Sequence, residues 1–450
     1  MIQEYTYIYG GTLVNEGEIL EADILIKDKS IHKILKRPVT ETLPDNVTLI
    51  DASRKHILPG VIDDQVHFRE PGLTQKANIY SESRAAVAGG TTSFMEMPNT
   101  SPQTVTIELL EDKYHIASQN SLANYSFYMG ATNDNIDEIV KVNPKTVCGL
   151  KIFMGSSTGN MLVDDLDSLH DIFSRAPLLI ATHCEDEQTI RNNTQTYRDK
   201  FKDQIPFSSH PEIRSTEACF LSSSLAVRLA KEHNSRLHVL HISTEMELEL
   251  FDDSTPLEEK RITAEVCVHH LWFDQSHYKE KGGWIKWNPA VKSQADKEAL
   301  INGVLQNKLD VIATDHAPHT VEEKTNPYLK CPSGGPMVQH SLVSMLELYH
   351  KGLFSLELIV EKMCHAPAKL FRIDRRGFIR EGYYADLTIV DLDNSWTVAP
   401  DNILYKCGWS PMDGVRYSSK VSHTIINGHH IYNDGVLHEP ANGMRLDFNR

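Results

Sequence analysis

The stretch Gly60-Val61-Ile62-Asp63-Asp64-Gln65-Val66-His67-Phe68-Arg69 begins as an apolar strand and runs into residues that carry chemistry. The same pattern returns four more times. Val147–Leu150 runs into Lys151, Leu178–Ala181 ends at His183, Leu237–Leu240 ends at His241, and Val311–Thr314 ends at Asp315-His316-Ala317-Pro318-His319. Stability alone does not explain five apolar runs that each finish on His, Lys or Asp. In a parallel barrel of eight strands and eight helices, all C-terminal strand ends open into one mouth, where active sites are built.

Outward from these runs, the middle of the chain repeats strand, loop and helix. Eight candidate strands are Gly60–His67, Thr91–Met97, Asn124–Gly130, Val147–Phe153, Leu178–His183, Leu237–His241, Ile262–His269 and Asp310–Asp315. Helical periodicity falls at Ile79–Ala88, Ile107–Ser118, Ser215–His233, Ala295–Gln306, Gln339–Tyr349 and Ser355–Cys364. Near-continuous apolar strands between amphipathic helices imply a parallel sheet covered on both faces. Eight such units favour closure, so the expected class is α/β, a (β/α)8 TIM barrel.

The two ends read differently. Tyr5–Tyr9, Asp23–Lys27 and Ile31–Ile34 are short β-type runs, as are Ala385–Val390, Val421–Ile426 and His429–Tyr432, with turn signals such as Asn427-Gly428. The expectation is a small β-sandwich domain formed by both termini, residues 1–58 with 378–450, enclosing a barrel over 59–377.

Composition bounds the function. The chain has 450 residues, of which 40% are hydrophobic and 24% charged, ordinary for a globular protein. A net charge of −16 offers no basic face for phosphates and argues against nucleic acid. The seven cysteines are an odd number without a Cys-x-x-Cys pair, which reads as reduced thiols in the cytoplasm. Met1–Gly10 lacks the basic-then-apolar order of a signal peptide, and no run of about 18 apolar residues suggests a membrane span.

Each polar strand end has an ordinary reading by itself: a hydrogen-bonded histidine, a solvated lysine, an aspartate capping a turn. Their joint occurrence at one barrel mouth points to a metal centre. Imidazoles and a carboxylate suit zinc. A bound metal lowers the pKa of water toward about 7 and supplies hydroxide at neutral pH, and an adjacent aspartate can shuttle its proton. Lysine is the odd member, because an ammonium cannot bind a cation. It must be deprotonated or modified.

Taken together these residues resemble the dihydroorotase branch of the amidohydrolase superfamily. Pro59-Gly60-Val61-Ile62-Asp63 with Val66-His67-Phe68-Arg69-Glu70-Pro71-Gly72 is similar to the family's opening motif. Glu96-Met97-Pro98-Asn99-Thr100, Gly149-Leu150-Lys151, His183-Cys184-Glu185, His241-Ile242-Ser243-Thr244, Glu265–His270 and Ala313–His319 follow in the family's order. Pro367–Phe371, Arg376-Gly377 and Glu381–Leu387 resemble its return to the β-domain, so the likeness spans nearly the whole chain.

The resemblance implies a zinc-dependent hydrolase acting on a cyclic amide, reversibly converting L-dihydroorotate to N-carbamoyl-L-aspartate in pyrimidine biosynthesis. It implies that Lys151 is carboxylated on its amine and bridges two metals. His183 and His241 would bind one metal; His67 and Asp315 would help bind the other. A metal-bound hydroxide would attack the ring carbonyl, and Asp315 would pass the proton to the leaving nitrogen. Arg69, Asn99 and His319 match the positions that hold the substrate carboxylate, and Asn288 one that contacts the ring. His269 and His270 receive no role. The resemblance also makes a homodimer the expected assembly.

Two departures qualify this. Where the family has His-x-His, this chain has Gln65-Val66-His67. An amide is a poor zinc ligand beside imidazole, so the expectation is one tight zinc with a second weaker or absent. The segment Ser333–His340 resembles hydantoinases and allantoinases as much as dihydroorotases, and Thr320–Pro332 is long enough to cover the mouth as a lid. The alternatives are therefore a hydantoinase- or allantoinase-type cyclic amidohydrolase, sharing the metals but not the carboxylate clamp, and a non-catalytic scaffold of the same fold.

Overall fold

The computed structural model describes residues 4–155, 160–439 and 443–450. Met1–Gln3 of the amino-terminal stretch discussed above lie outside the described residues. The central architecture is an eight-stranded parallel barrel. Its strands are β1 (Val61–Val66), β2 (Thr91–Glu96), β3 (Asn124–Phe127 with Met129–Gly130), β4 (Leu150–Phe153), β5 (Ile180–His183), β6 (Leu237–Val239), β7 (Ile262–Cys267) and β8 (Val311–Ala313). Consecutive strands pair in parallel from β1 to β3 and from the second part of β3 to β8. The ring closes where the His67 N–H donates to the His316 carbonyl at 2.7 Å.

Several expected strands are longer than the observed ladders. The run Val147–Phe153 pairs only over Leu150–Phe153, and Ile262–His269 stops at Cys267, where a helix, Val268–Trp272, takes over. Val147 and Cys148 are nevertheless buried. An apolar run reports burial, and buried loop residues on either side of a strand carry the same signal. Tyr128 interrupts β3, its hydroxyl donating to the Asp64 carbonyl at 3.0 Å.

Helix boundaries follow their caps. Asn78 opens Ile79–Ala88, Thr106 opens Ile107–Asn120 and Ser215 opens Thr216–His233, each side chain accepting from a backbone N–H in the first turn. Asn234 ends the last of these in the left-handed region at φ 53°. The expected helix Ser355–Cys364 is instead Leu356–Val360, a π turn at Glu361–His365, and Ala366–Phe371. Leu166–Arg175 and Glu187–Phe201 were not expected. In the second only Ile190 is buried, so its sequence has almost no apolar stripe to read.

Strands from both ends form a β-rich domain of ten hydrogen-bonded strands. The strand Glu18–Lys27 pairs through its first half with Thr12–Asn15 and through its second with Tyr5–Tyr9 and Ser30–Lys36. Its core joins Ile8, Ile24 and Ile50 from the amino-terminal strands to Ile57, Leu387, Ile389 and Ile425. Part of the carboxy-terminal region packs on the barrel: Val398, Tyr405, Met412 and Tyr417 join the main barrel cluster, and Leu446 and Phe448 join a second cluster with Ile62, Tyr128 and Phe371.

Candidate active site

One cavity of about 570 Å³ opens at the C-terminal ends of the barrel strands. Its lining contains every residue singled out from the sequence: His67, Arg69, Asn99, Lys151, His183, His241, Asn288, Asp315 and His319. Gln65 lines it too. These positions run from Gln65 to His319 along the chain; the parallel barrel brings them to one mouth. Arg69, His241 and Asp315 have positive φ values of 69°, 40° and 46°. Non-glycine residues seldom adopt this conformation, and it persists where the surrounding structure enforces it.

Lys151 lies within β4, His183 ends β5 and His241 follows β6 by two residues. His183 Nδ1 faces His241 Nε2 at 2.9 Å, while His183 Nε2 faces Glu185 Oε2 at 2.8 Å. Burial pushes both imidazoles down, His241 well below its usual value, so both are neutral. His183 therefore donates Nε2–H to Glu185 and presents Nδ1 as a lone pair. Arg214 supplies Glu185 with its charge partner at 2.5 Å. Burial by itself would raise the Glu185 carboxyl; Arg214, with the His183 hydrogen bond, holds it at about 2. The Lys151 amine is buried with no hydrogen-bond partner, and burial lowers it to about 8.

On the other side, His67 Nε2 lies 3.1 Å and Gln65 Nε2 3.2 Å from Asp315 Oδ1. His67 Nδ1 faces the Asn99 amide oxygen at 2.8 Å. The ring thus directs Nε2 toward the carboxylate, with its tautomer set by the outer hydrogen bond. Asn99 using its oxygen on His67 leaves its NH2 group for a ligand in the cavity.

These residues fit a metal. Two buried ring nitrogens face each other without a shared acceptor, and beside them lies an amine that no protein group satisfies. Buried polar atoms without partners are unusual in a folded interior; the Lys151 amine is one, and a carboxylated Lys151 with His183 Nδ1 and His241 Nε2 would present three ligands to one cation.

Arg69 and His319 form the opposite wall. Arg69 Nε donates to the Pro318 carbonyl at 3.1 Å, and its Nη2 lies 3.1 Å from His319 Nε2, which also faces the Ser333 carbonyl at 3.0 Å. Burial and the Arg69 charge hold His319 down at about 3, so it is neutral beside the guanidinium. Trp287 Nε1 reaches the Asp315 carbonyl at 3.4 Å, one residue before Asn288. His269 and His270, left without a role, do not line the cavity; His269 stacks on Trp287 with ring centroids 4.1 Å apart.

The segment expected as a lid, Thr320–Pro332, reaches the mouth at Pro332, with Ser333 and Gly334 just beyond it. It is tied down by two buried lysines. Lys324 donates to the carbonyls of Pro332 and Gly334 at 3.0 and 2.7 Å, and Lys286 to those of Tyr328 and Cys331 at 2.9 and 2.6 Å. Sequence reasoning missed Arg214, which sits far from any motif, and gave no role to Glu185, although the His183-Cys184-Glu185 run contained it.

The profile of the amidohydrolase family matches residues 56–431. A dihydroorotase from Pyrococcus furiosus is 33% identical over 437 residues, 97% of this chain and 95% of the relative. A dihydroorotase from Methanosphaera stadtmanae is 29% identical over 416 residues, 92% of this chain and 94% of the relative. Among solved structures, an L-hydantoinase (dihydropyrimidinase) from Arthrobacter aurescens superposes with a TM-score of 0.92 at 27% identity, covering 98% of this chain and 99% of that one. With the family profile spanning most of the chain, the chain belongs to the amidohydrolase family.

Proposed function

We propose that the chain is a dihydroorotase, reversibly hydrolysing L-dihydroorotate to N-carbamoyl-L-aspartate. The observation that carries the reading is one cavity with two unlike walls: a neutral, ligand-type cluster of Lys151, His183 and His241, and a guanidinium wall of Arg69 with His319. The first suits amide hydrolysis and the second suits a substrate that carries a carboxylate.

In this reading Lys151, carboxylated, with His183 and His241 holds one zinc, and His67 with Asp315 holds a second more weakly because Gln65 replaces an imidazole. When bound, the metal polarises the ring carbonyl and lowers the pKa of water. The protein's own residues do the rest. Arg69 grips the carboxylate in a fork, with Asn99 and His319 beside it. Asn288 contacts the ring. Asp315 Oδ1 accepts the proton of the attacking water and returns it to the leaving ring nitrogen.

The likeness to the hydantoinase structure favours a second reading, a cyclic amidohydrolase of neutral rings. The buried arginine in the wall weighs against it, because a neutral ring would leave that charge unpaired. The third reading, a scaffold without turnover, is disfavoured by the retention of Lys151, His183, His241 and Asp315.

All seven cysteines are free, which supports a reducing compartment. Among the described residues no helix is long and apolar enough to cross a membrane. The division into 1–58 with 378–450, and 59–377, is supported by the strand His56–Pro59, which belongs to the terminal sheet and immediately precedes β1. A homodimer follows from the family resemblance, and sedimentation would measure it.

The deciding experiment is turnover of L-dihydroorotate, with hydantoin and dihydrouracil as neutral competitors, on protein whose zinc content is known. Preference for the acidic ring supports the proposal. Turnover of the neutral rings alone supports the hydantoinase reading, and no turnover with metal bound supports the scaffold.

A further inference from the structure

Beneath the mouth the barrel interior holds a second cluster that the proposed reaction does not use. Asp64 on β1, His238 on β6 and Glu265 on β7 meet across the lumen, all fully buried. His238 Nε2 lies 3.2 Å from Asp64 Oδ2 and 3.9 Å from Glu265 Oε2. The β1 register against β2 slips between Asp63 and Val66, so simple alternation does not hold there. Asp64 reaches the lumen while its neighbour Gln65 reaches the mouth.

The hydrogen bonds around this cluster run in one direction. Thr263 Oγ1 donates to the Leu237 carbonyl at 3.2 Å, so it can only accept from His238 Nδ1 at 2.8 Å. With a hydrogen on Nδ1, His238 turns Nε2 toward the Asp64 and Glu265 carboxyl groups. Glu265 Oε1 is occupied by the His241 N–H at 3.0 Å, which leaves Oε2 for the cluster. Asp64 Oδ1 and Oδ2, Glu265 Oε2 and His238 Nε2 have no hydrogen-bond partner. Among the described residues no lysine or arginine pairs with either carboxylate. Two buried carboxyl groups and a ring nitrogen converging in a dry interior, with no lysine or arginine beside them, are costly unless a proton or a cation lies between them.

We propose that Asp64, His238 and Glu265 form a buried divalent-cation site of the zinc type, distinct from the Lys151–His183–His241 centre. Metal–ligand bonds of about 2.0–2.2 Å place neighbouring ligand atoms roughly 3.2–3.6 Å apart; the His238–Asp64 separation of 3.2 Å falls in that range, and Glu265 Oε2 at 3.9 Å would move in by a few tenths of an ångström on binding. The His238–Thr263 hydrogen bond is the outer-shell contact that fixes a metal-binding imidazole. One imidazole with two carboxylates suits zinc or manganese rather than calcium or magnesium. The site has a structural consequence. A cation on Oε2 immobilises Glu265, whose other oxygen holds the backbone of His241 at its positive φ. It makes Asp64, His238 and Glu265 positioning residues for the mouth above.

The test is diffraction from crystals of the full chain grown with zinc chloride, collected on both sides of the zinc absorption edge. The expected result is an anomalous peak about 2 Å from His238 Nε2, separate from any peak at Lys151. Zinc at the mouth with no anomalous peak in the lumen would overturn the proposal and assign a proton or water to the cluster. In solution, Asp64→Val and His238→Gln should each bind one zinc equivalent fewer than the wild type while the zinc at Lys151 remains. A folded variant with unchanged zinc content would overturn the proposal as well. The wild-type crystal decides the matter if neither variant folds.

Discussion

The Gln65 amide nitrogen donates to Asp315 Oδ1 at 3.2 Å, the same oxygen that His67 Nε2 faces at 3.1 Å. In the proposed two-metal reading, Gln65 stands where a second imidazole would complete a metal site, and it occupies the aspartate instead. Replacing it by histidine adds a nitrogen ligand and frees Oδ1. Gln65→His should tighten zinc at the His67–Asp315 position by about tenfold or more, about 1.4 kcal/mol. Zinc-edge occupancy of crystals equilibrated at limiting zinc measures it. Equal occupancy in both proteins would show that Gln65 does not limit that site.

Arg69 is buried and its charge faces the cavity wall. Truncating one member of a buried charge pair typically costs about 2–5 kcal/mol. Arg69→Ala should therefore lower kcat/KM for L-dihydroorotate by roughly 30-fold or more, mainly through KM, with zinc content unchanged. An unaltered KM would remove Arg69 from the clamp.

Asp315 is the proposed proton carrier. General acid–base groups contribute about 10²- to 10⁴-fold, so Asp315→Asn should reduce kcat by at least that range, with further loss if the second metal leaves. Turnover within tenfold of the wild type would assign the proton transfer elsewhere.

Carboxylation of Lys151 needs the neutral amine. With burial lowering it to about 8, roughly a tenth is neutral at pH 7, against about three in ten thousand for an exposed lysine. The neutral fraction grows as pH rises through 8. Metal-free protein given ¹³C-bicarbonate should show a carbamate resonance that strengthens from pH 6.5 to 8.5 and is absent in Lys151→Ala. A resonance that ignores pH over this range would contradict the lowered amine.

Glu185 links the mouth to acid stability. Its carboxyl sits at about 2 in the fold, against an ordinary 4.5. A lowered acid contributes stability that is complete above 4.5 and disappears as pH falls from 4.5 to 2, on the order of 3 kcal/mol for this shift. Glu185→Gln should therefore destabilise the metal-free protein at pH 6, and the difference should shrink on acidification. Urea midpoints of both proteins at pH 6 and pH 3.5 give the comparison; a gap that widens toward acid would reverse the assigned sign.

The barrel was legible because its strands are buried on both faces, so apolar runs mark them and the polar residue that ends each run marks the mouth. Apolar periodicity located the helix starts at Ile79 and Ile107, and the structure adds the local reason they begin there: the side-chain oxygens of Asn78 and Thr106 satisfy orphan N–H groups. Strand ends were less legible, because Val147 and Cys148 are as buried as β4 without belonging to its ladder. Glu187–Phe201 escaped because it buries a single side chain.

The sequence by itself determined the order of elements and the inventory of the mouth, since each of Lys151, His183, His241 and Asp315 lies at the end of its own apolar run. Only the tertiary structure decided which groups share a proton, a charge or an oxygen. Arg214 lies 29 residues from Glu185, and Asp315 lies 250 from Gln65. Asp64 meets His238 and Glu265 only because β1, β6 and β7 face one another across a closed lumen. Strand patterns are properties of neighbouring residues, whereas these pairings arise from closure of the barrel, which no local pattern encodes.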